Sequence, residues 1–448
     1  MEQAKSRVRN WIRNSITARM LIVGFLLVIL LIPLQYVKSL ISERSYRQKE
    51  VVQEINSKWG NNIILSGPIL KVPYKTYTEE RNFNEETKKY TTKTITNTKY
   101  AFVFPDVLDI DSNVDTKPLN RSIYKSVVYT ADIKVKGNFP EINLKELDIK
   151  NEDIIWDKVS VLVKTSNLKG IRNTPKINMG NQSLAMTPRY DREYLNTIES
   201  EFIKEFSLEK NKVIPFSIDL KINGSELLEF IPIGKETTAS MSSNWHSPSF
   251  DGKYLPEDGS REITSDGFSA SWKVLQINRQ FEQVFLKNIP NLTEFKFGTK
   301  LIIPVDEYQK SERTAKYGFM VIGLTLLVFL LIQLVSKIHI HPFQYVMIGL
   351  ALVMFYTLLI SISEHSSFLK AYIIAAISVL ALIVLYSRAI LSGFKFPILV
   401  GASLASLYGF IYVIIQLENY ALLVGSIGLF IILGIVMFTS RKIDWGTN

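Results

Sequence analysis

Five ionisable residues beside apolar stretches of this chain are the most able to do chemistry. They are Asp306, Arg313, Glu364, His365 and Glu418. A carboxylate next to an imidazole, as at Glu364 and His365, can perform acid–base work. Ionisable groups at a membrane edge can also dock a folded domain, bind a lipid headgroup or relay protons. Such charges most often mark only the water boundary, so a boundary or docking role is favoured, ahead of ligand binding and then catalysis.

The remaining candidates for chemistry are weaker. His339 and His341 are separated by one residue, but no third metal ligand lies near them in the sequence, so we expect them to start a helix at the interface. No His-Glu-x-x-His, Gly-x-Ser-x-Gly, phosphate-binding or dinucleotide-binding motif occurs. The chain has no cysteine, which excludes disulfides and thiolate chemistry. The sequence therefore predicts a protein that is not an enzyme and binds no cofactor or metal.

Six uncharged, apolar stretches organise the chain around these residues. A helix needs about 20 apolar residues to cross the hydrocarbon core of a bilayer. The stretches cover residues 20–37, 317–336, 342–363, 371–387, 396–417 and 419–440. The first also resembles a secretion signal, but no Ala-x-Ala-like cleavage site follows it, which favours an uncleaved anchor. The pattern predicts six transmembrane helices, one before and five after a long polar segment.

The distribution of basic residues predicts the orientation of these helices. Basic residues beside short loops are retained on the cytoplasmic side. With the N terminus inside, the inner side carries Lys5, Arg7, Arg9, Arg13, Arg19, Lys337, Arg388, Lys395, Arg441 and Lys442. The two short outer loops carry only Lys370. Both termini are therefore predicted to be cytoplasmic, with the polar segment on the outer side.

The polar segment alternates apolar and polar residues, as a strand with one buried face does. This pattern covers residues 94–104, 122–135, 159–164, 213–222 and 299–305. It predicts an antiparallel, β-rich, sandwich-like domain. Residues 40–58 are predicted to be a helix rising into it, and residues 79–97 a solvated hairpin or loop. Short helices are predicted near residues 190–206 and 279–287, and the last strand is predicted to run almost directly into the second span.

Five regions are predicted from these patterns. They are a basic cytoplasmic segment (1–19), an anchor (20–37), a β-rich outer domain (38–314), a five-helix bundle (315–440) and a cytoplasmic tail (441–448). In the bundle, Gly401, Ala405 and Gly409 recur at four-residue spacing, which lets helices approach closely in lipid. The net charge of +10 could suggest nucleic-acid binding, but the basic residues beside the first span serve as topology anchors, so no nucleic-acid partner is predicted.

Stretches along the whole chain resemble the CreD family of bacterial inner-membrane proteins. In the polar segment they are Ser-Gly-Pro-Ile-Leu at 66–70 and the runs at 243–250, 254–256 and 265–272. In the apolar part they are the runs at 313–317, 341–345, 354–365, 420–425 and 441–445. The resemblance implies the bacterial inner membrane, a periplasmic domain at 38–314, and a link to envelope stress and β-lactam responses. It implies no reaction and supplies no catalytic residue.

Three functions are consistent with this sequence. The first is a multi-pass protein that supports cell-envelope integrity through its periplasmic domain, contacting lipid and an envelope protein or cell-wall partner. The second is a transporter or lipid-handling protein with an outer gate near Glu364, His365 and Glu418. The third is an enzyme acting on envelope material. The first is the prediction made here, and the oligomeric state is left open.

Overall fold

The chain forms two compact units, one from residues 1–49 with 305–448 and one from residues 50–304. The computed structural model describes residues 15–84, 89–190, 194–204, 212–303, 307–336, 338–391, 393–417 and 420–441. The predicted membrane limits near residues 37 and 315 stay predictions.

Seven α-helices are found among the described residues. They are α1 (Ile16–Trp59), α2 (Glu307–Lys316), α3 (Gly318–Ser336), α4 (Pro342–Ser363), α5 (Phe368–Ile390), α6 (Lys395–Gln416) and α7 (Ala421–Ser440). All except α2 are long and apolar enough to cross a membrane. The predicted arrangement of one apolar helix, a β-rich domain and five apolar helices is confirmed. Helix α1 continues without a break through the predicted rising helix at 40–58.

Sixteen strands follow α1 in the described part of the chain. They are β1 (Ile63–Asn84), β2 (Lys89–Val103), β3 (Val107–Arg121), β4 (Tyr124–Phe139), β5 (Ser160–Thr165), β6 (Lys176–Met179), β7 (Gln182–Arg189), β8 (Asn196–Ser200), β9 (Ile214–Ser225), β10 (Leu227–Phe230), β11 (Glu236–Ser243), β12 (Pro248–Gly252), β13 (Glu262–Ile263), β14 (Phe268–Leu275), β15 (Val284–Leu286) and β16 (Phe297–Leu301).

One hydrogen-bonded path joins these strands in the order β12-β16-β10-β1-β5-β8-β7-β6-β9-β4-β3-β11-β14-β13, with β2 on β1 and β15 on β2. Pairing is antiparallel except between β1 and β10 and between β3 and β11. Strand β7 links two halves, because its first residues pair with β6 and its last with β8. The two halves share one apolar core.

Aromatic side chains bring the two ends of this path together. The ring of Trp272 in β14 lies 5.8 Å from Phe250 in β12 and 5.7 Å from Phe297 in β16. Trp272 is 2% exposed, and such ring pairs add about 0.5–1.5 kcal/mol each beyond their buried area. The sheet is therefore nearly closed, like a barrel.

The last turn of α1 packs into the β-rich unit. Trp59 Nε1 donates to the Tyr129 carbonyl at 3.0 Å, and Ser126 Oγ donates to Asn56 Oδ1 at 2.6 Å. Gly60, directly after the helix, approaches the Asn223 carbonyl so closely that a Cβ would overlap it. A glycine is therefore required where the chain turns from α1 towards β1.

Strands β1 and β2 extend beyond the core as a two-stranded ribbon, defined here as residues 75–84 with 89–98. The two strands pair continuously from Leu70 with Val103 to Asn84 with Lys89. From Lys75 outward the described side chains are exposed, apart from half-buried Thr76 and Ile95. The predicted solvated hairpin is confirmed in this segment.

Two predicted short helices are wrong. Residues 196–200 form β8 between β5 and β7, and residues 284–286 form β15 on β2. Pairing with neighbouring strands overrode the local helix signal in both places. The last predicted strand ends at Leu301 rather than at residue 305, and the connection to the second span contains helix α2.

Candidate functional site

The Glu364 cluster, defined as Arg44, Tyr308 and Glu364, joins three helices of the apolar unit at one carboxylate. The Tyr308 hydroxyl donates to Glu364 Oε1 at 3.1 Å, and Arg44 Nε lies 3.7 Å from the same oxygen. The Glu364 side chain is 15% exposed and that of Arg44 is 46% exposed. Glu364 follows the C terminus of α4, where the helix dipole disfavours a negative charge. Arg44 and Tyr308 supply the compensating cation and hydrogen bond.

Helix α2 positions Tyr308. Its buried residues are Tyr308, Ser311, Thr314 and Ala315, which lie on one face. Thr314 Oγ1 donates to the Lys310 carbonyl at 2.7 Å, and Lys310 Nζ lies 5.9 Å from the ring centroid of Phe368 at the start of α5. A short helix with a polar sequence is thus held against the bundle by small and aromatic side chains.

The five predicted site residues differ in their burial and in their side-chain partners. Glu364 has two partners, Arg44 and Tyr308. His365 is exposed and Arg313 is half-buried on α2. Neither of these two side chains has a partner among the described residues. Asp306 and Glu418 lie outside the described residues. The favoured boundary or docking role of these residues stays a prediction, and acid–base work by Glu364 with His365 stays the least favoured hypothesis.

Sequence reasoning missed Arg44 and Tyr308. Arg44 lies in the charged part of α1, far from Glu364 in the sequence, and no local pattern joins the two. The spacing of Tyr308, Ser311 and Ala315 is the only local signal for the buried face of α2, and it is weak because two of the three are small.

Aromatic side chains fill the bundle near this cluster. The ring of Phe355 lies 4.5 Å from Tyr408 and 5.3 Å from Tyr372, and the Tyr372 hydroxyl donates to the Tyr408 carbonyl at 2.7 Å. The Tyr356 and Tyr408 hydroxyls are buried without a hydrogen-bond partner among the described residues. Ring pairs of this kind add about 0.5–1.5 kcal/mol each beyond their buried area, so they help to hold these helices together.

The predicted helix-packing residues lie in two environments. At Gly401 a Cβ would meet Val384 Cγ2 of α5 at 3.0 Å, whereas at Gly409 it would meet nothing within 4 Å. Ala405 is exposed on the same helix. Close packing through Ala405 and Gly409 stays a prediction.

His341 has the role expected of a helix-starting residue. Its Nδ1 accepts from the Phe343 N–H at 3.2 Å, and its own N–H donates to Gln344 Oε1 at 2.8 Å, so the pair caps the N terminus of α4. Within the described ranges no three His, Asp or Glu side chains are placed to hold a metal ion.

Two carboxylates in the β-rich unit have opposite electrostatic surroundings. Glu199 accepts from Lys71 at 2.7 Å, from Ser160 at 2.6 Å and from Arg189 at 3.2 Å. Burial pushes the pKa of Glu199 up, but the Lys71 and Ser160 hydrogen bonds and the charges of Lys71 and Arg189 outweigh burial and hold it below its ordinary value.

Glu229 has one partner, Lys296, at 2.6 Å, and its side chain is 0% exposed. Its second oxygen has no hydrogen-bond partner among the described residues. Burial raises the pKa of Glu229, and the Lys296 contact offsets only part of this increase.

Arg279 is a buried cation that binds carbonyl oxygens. Its Nε donates to the Gly234 carbonyl at 3.0 Å and its guanidinium to the Phe281 carbonyl at 3.2 Å and to Gln283 Oε1. Burial lowers the pKa of Arg279 to about 10. These bonds fix the segment before β15 to the sheet, which is a structural role.

Together, six apolar helices and a large inserted β-rich unit define a multi-pass membrane protein with one major extramembrane domain. The family model for the inner membrane protein CreD matches residues 15–446. A relative described as "Inner membrane protein CreD" from Escherichia coli (strain K12) is 28% identical over 419 residues, covering 93% of this chain and 91% of the relative. The chain therefore belongs to the CreD family and is a multi-pass inner-membrane protein.

Proposed function

We propose that this protein supports cell-envelope integrity through its β-rich domain, which lies in the periplasm and acts by binding rather than by catalysis. The observation that carries the proposal is the inserted domain itself. Its core is closed by Trp272 and its neighbours, and it extends the long exposed ribbon of β1 and β2. A rigid core with a projecting ribbon suits contact with an envelope protein, the cell wall or lipid. The resemblance to the CreD family supports a link to envelope stress and β-lactam response.

The periplasmic placement rests on charge. Basic residues that flank the short loops favour cytoplasmic termini. Alkaline-phosphatase fusions test this directly, since a fusion near residue 200 should be active and a fusion at the C terminus inactive. The reverse result would overturn the orientation and with it the proposal.

Complementation tests the function. In cells lacking the protein, sensitivity to a β-lactam and to detergent should be restored to normal by the full chain and not by a chain lacking residues 61–303. The variants Glu364→Gln and His365→Ala should restore it as fully as the full chain, because the proposal places the activity in the β-rich domain. Restoration by the truncated chain would refute the proposal.

The Glu364 cluster favours a second candidate, a lipid-handling or transport function. Three helices converge on Glu364, and partnered ionisable groups in membrane segments often mark substrate or ion pathways. This candidate predicts that Glu364→Gln abolishes complementation while its neighbour His365→Ala does not. Flux or lipid transfer in reconstituted vesicles, lost in Glu364→Gln, would establish it.

A further inference from the structure

The outer edge of β2 is open for a long distance. On one side β2 pairs with β1 throughout, and on the other it pairs with β15 only at residues 101–103. In the described chain no strand pairs with this outer edge between Thr91 and Lys99. An open edge presents unpaired N–H and C=O groups, which are a template for another strand.

Neighbouring hydrogen bonds fix which residues of β2 direct their main-chain groups outward. The Tyr100 carbonyl accepts from the Lys287 N–H at 2.9 Å, on the side away from β1, and the carbonyl of its pair Pro73 accepts from Ile155 at 2.9 Å, on the side away from β2. Pro73 and Tyr100 are therefore a non-hydrogen-bonded pair of the β1–β2 ladder. Because such pairs alternate along an antiparallel ladder, the N–H and C=O of Thr92, Thr94, Thr96 and Thr98 also point outward.

We propose that two copies of this chain associate by antiparallel pairing of their β2 strands between Thr91 and Lys99, about a two-fold axis at Ile95. A two-fold interface places one surface against itself, so it must be self-complementary. In this register outward-pointing threonines face each other, Thr94 with Thr96 of the second copy and Thr92 with Thr98. About eight main-chain hydrogen bonds would form, and cross-strand Thr–Thr pairs add stability.

Charge selects this register over its neighbours. Centred on Ile95, the register places Lys93 opposite Asn97 and Lys99 opposite Thr91 of the second copy, so no lysine faces a lysine. Shifting the axis to Thr96 would place Lys93 opposite Lys99. Like charges directly opposite each other are destabilising.

A shift in the other direction fails in the same way, because an axis at Thr94 would place Lys89 opposite Lys99. If one strand slides by a single residue relative to the other, residues whose main-chain N–H and C=O point outward face residues whose main-chain groups point towards β1. The hydrogen bonds of the ladder could then not form. Near the middle of the open edge, the register centred on Ile95 satisfies two requirements. It opposes no two lysines, and it pairs only residues whose main-chain groups can form the ladder.

The outer edge of β1 does not offer an equivalent surface. Its outward-pointing residues include Lys75, Glu79 and Arg81. An axis at Glu79 opposes two glutamates, an axis at Thr78 opposes Lys75 with Arg81, and an axis at Glu80 opposes two glutamates again. An axis at Tyr77 would place Lys75 opposite Glu79. It would also place the second copy against Pro73 and Tyr74, where Ile155 and Ile154 already pair with β1. The ribbon thus favours pairing through β2 over pairing through β1.

The absence of native cysteine allows a direct test by cysteine substitution in the full chain in native membranes. In the proposed interface two copies of Ile95 form a non-hydrogen-bonded pair with Cα atoms about 4.5 Å apart, within the range of about 4.4–6.8 Å that a disulfide spans. Under mild oxidation Ile95→Cys should give a dimer that reducing agent dissolves. The matched control Thr91→Cys lies on the same face, but its two copies would be eight residues apart in register, about 26 Å, and should stay monomeric.

Two further variants separate register from mere proximity. Lys93→Cys and Asn97→Cys should form little dimer when expressed alone and a cross-linked pair when co-expressed with each other. Thr94→Pro removes an outward N–H that β1 does not use, so it should reduce the Ile95→Cys dimer at least fivefold. Glu79→Pro, directly across the ribbon, removes an outward N–H of β1 and should leave that dimer unchanged.

The proposal is overturned if Ile95→Cys does not cross-link, if Thr91→Cys cross-links equally well, or if Thr94→Pro leaves the dimer intact. The test is independent of the envelope function, because it reads cross-linking and not sensitivity to antibiotics. A chain that complements normally but never cross-links would refute the dimer and leave the proposed function standing.

Discussion

Replacing Glu199 by glutamine should reveal how much one buried carboxylate stabilises the β-rich unit. Glu199 and Lys71 keep only 18% and 11% of their side chains exposed. Removing one member of a buried ion pair costs about 3–5 kcal/mol, because the other charge is left uncompensated. Glutamine still accepts from Ser160 and some exposure remains, so we expect a loss of about 2–4 kcal/mol at pH 7.

Tryptophan fluorescence of the full chain in detergent is a suitable assay. The chain has six tryptophans, and Trp59, Trp156, Trp245 and Trp272 all lie in the β-rich unit. The emission change on heating or in denaturant therefore reports mainly on that unit. A loss of 2–4 kcal/mol corresponds to a decrease in melting temperature of roughly 5–15 °C for a unit of this size.

The pH dependence gives the sharper test. Because the pKa of Glu199 is lowered in the folded state, its stabilisation is fully present above its unfolded pKa and is lost as the pH falls through the folded pKa. The difference between the wild type and Glu199→Gln should therefore shrink below about pH 4.5. A difference under about 0.5 kcal/mol at pH 7, which is the range of ordinary surface substitutions, or one that does not become smaller on acidification, would refute this account of Glu199.

Glu229→Gln is the matched control, because it replaces a second buried carboxylate with opposite electrostatics. The raised pKa of Glu229 means that the folded state binds a proton more readily than the unfolded state. Its contribution therefore decreases as the pH rises from the unfolded pKa through the raised one. Relative to Glu229→Gln, the wild type should gain stability on acidification, which is the opposite sign from Glu199.

Three further predictions concern other positions. Arg279→Met should destabilise the β-rich unit by about 2–4 kcal/mol, because three buried or partly buried acceptors lose their donor at about 1–3 kcal/mol each while the cost of burying the cation is relieved. The same fluorescence assay measures this loss, and a change under about 0.5 kcal/mol would contradict it. Gly60→Ala should lower the free energy of unfolding by more than about 1 kcal/mol in that assay, because the added Cβ would overlap a backbone carbonyl. Gly259→Ala is the control, because a Cβ at that position meets nothing within 4 Å. It should show only the strain that a positive φ imposes on alanine. Glu364→Gln should keep the hydrogen bond from Tyr308 and lose the ion pair with Arg44. We expect it to lower the stability of the helices, followed by circular dichroism on heating, by under about 1 kcal/mol. A larger loss would show that the ion pair is a structural requirement.

The helices were predictable because membrane spans depend on length and hydropathy, which are local properties of the sequence. Strands were predictable from alternation in several places where one face is buried, as in β4 and β9. Alternation did not predict the short strands at residues 196–200 and 284–286. Their conformation is set by the strands beside them. Helix α2 was missed because its buried face consists of tyrosine, serine, threonine and alanine rather than of large apolar residues.

The candidate site was predictable only in part, for a related reason. Glu364 could be located from its place at the end of an apolar stretch, but its partners Arg44 and Tyr308 belong to helices that are distant in sequence. Similarly, no strand was predicted at Lys71, and Glu199 lies in a segment predicted to be a helix, so the pairing of these two side chains could not be foreseen. Contacts between distant elements depend on tertiary packing, which a single sequence does not encode in any local pattern.

The free edges of the β-rich unit differ in a way that bears on how it associates. The path of strands ends at β12, with five residues, and at β13, with two. Short edge strands are a common protection against unwanted pairing, and aromatic contacts from Phe250 to Trp272 cover the region between these ends. The open edge of β2 is longer than either, and its lysines sit where they would block several registers while permitting the one centred on Ile95. Lysines on an edge strand hinder most pairings, and the spacing of Lys93 and Lys99 leaves the proposed register free of opposed lysines, so the same residues that protect the edge would also set the register of the proposed dimer.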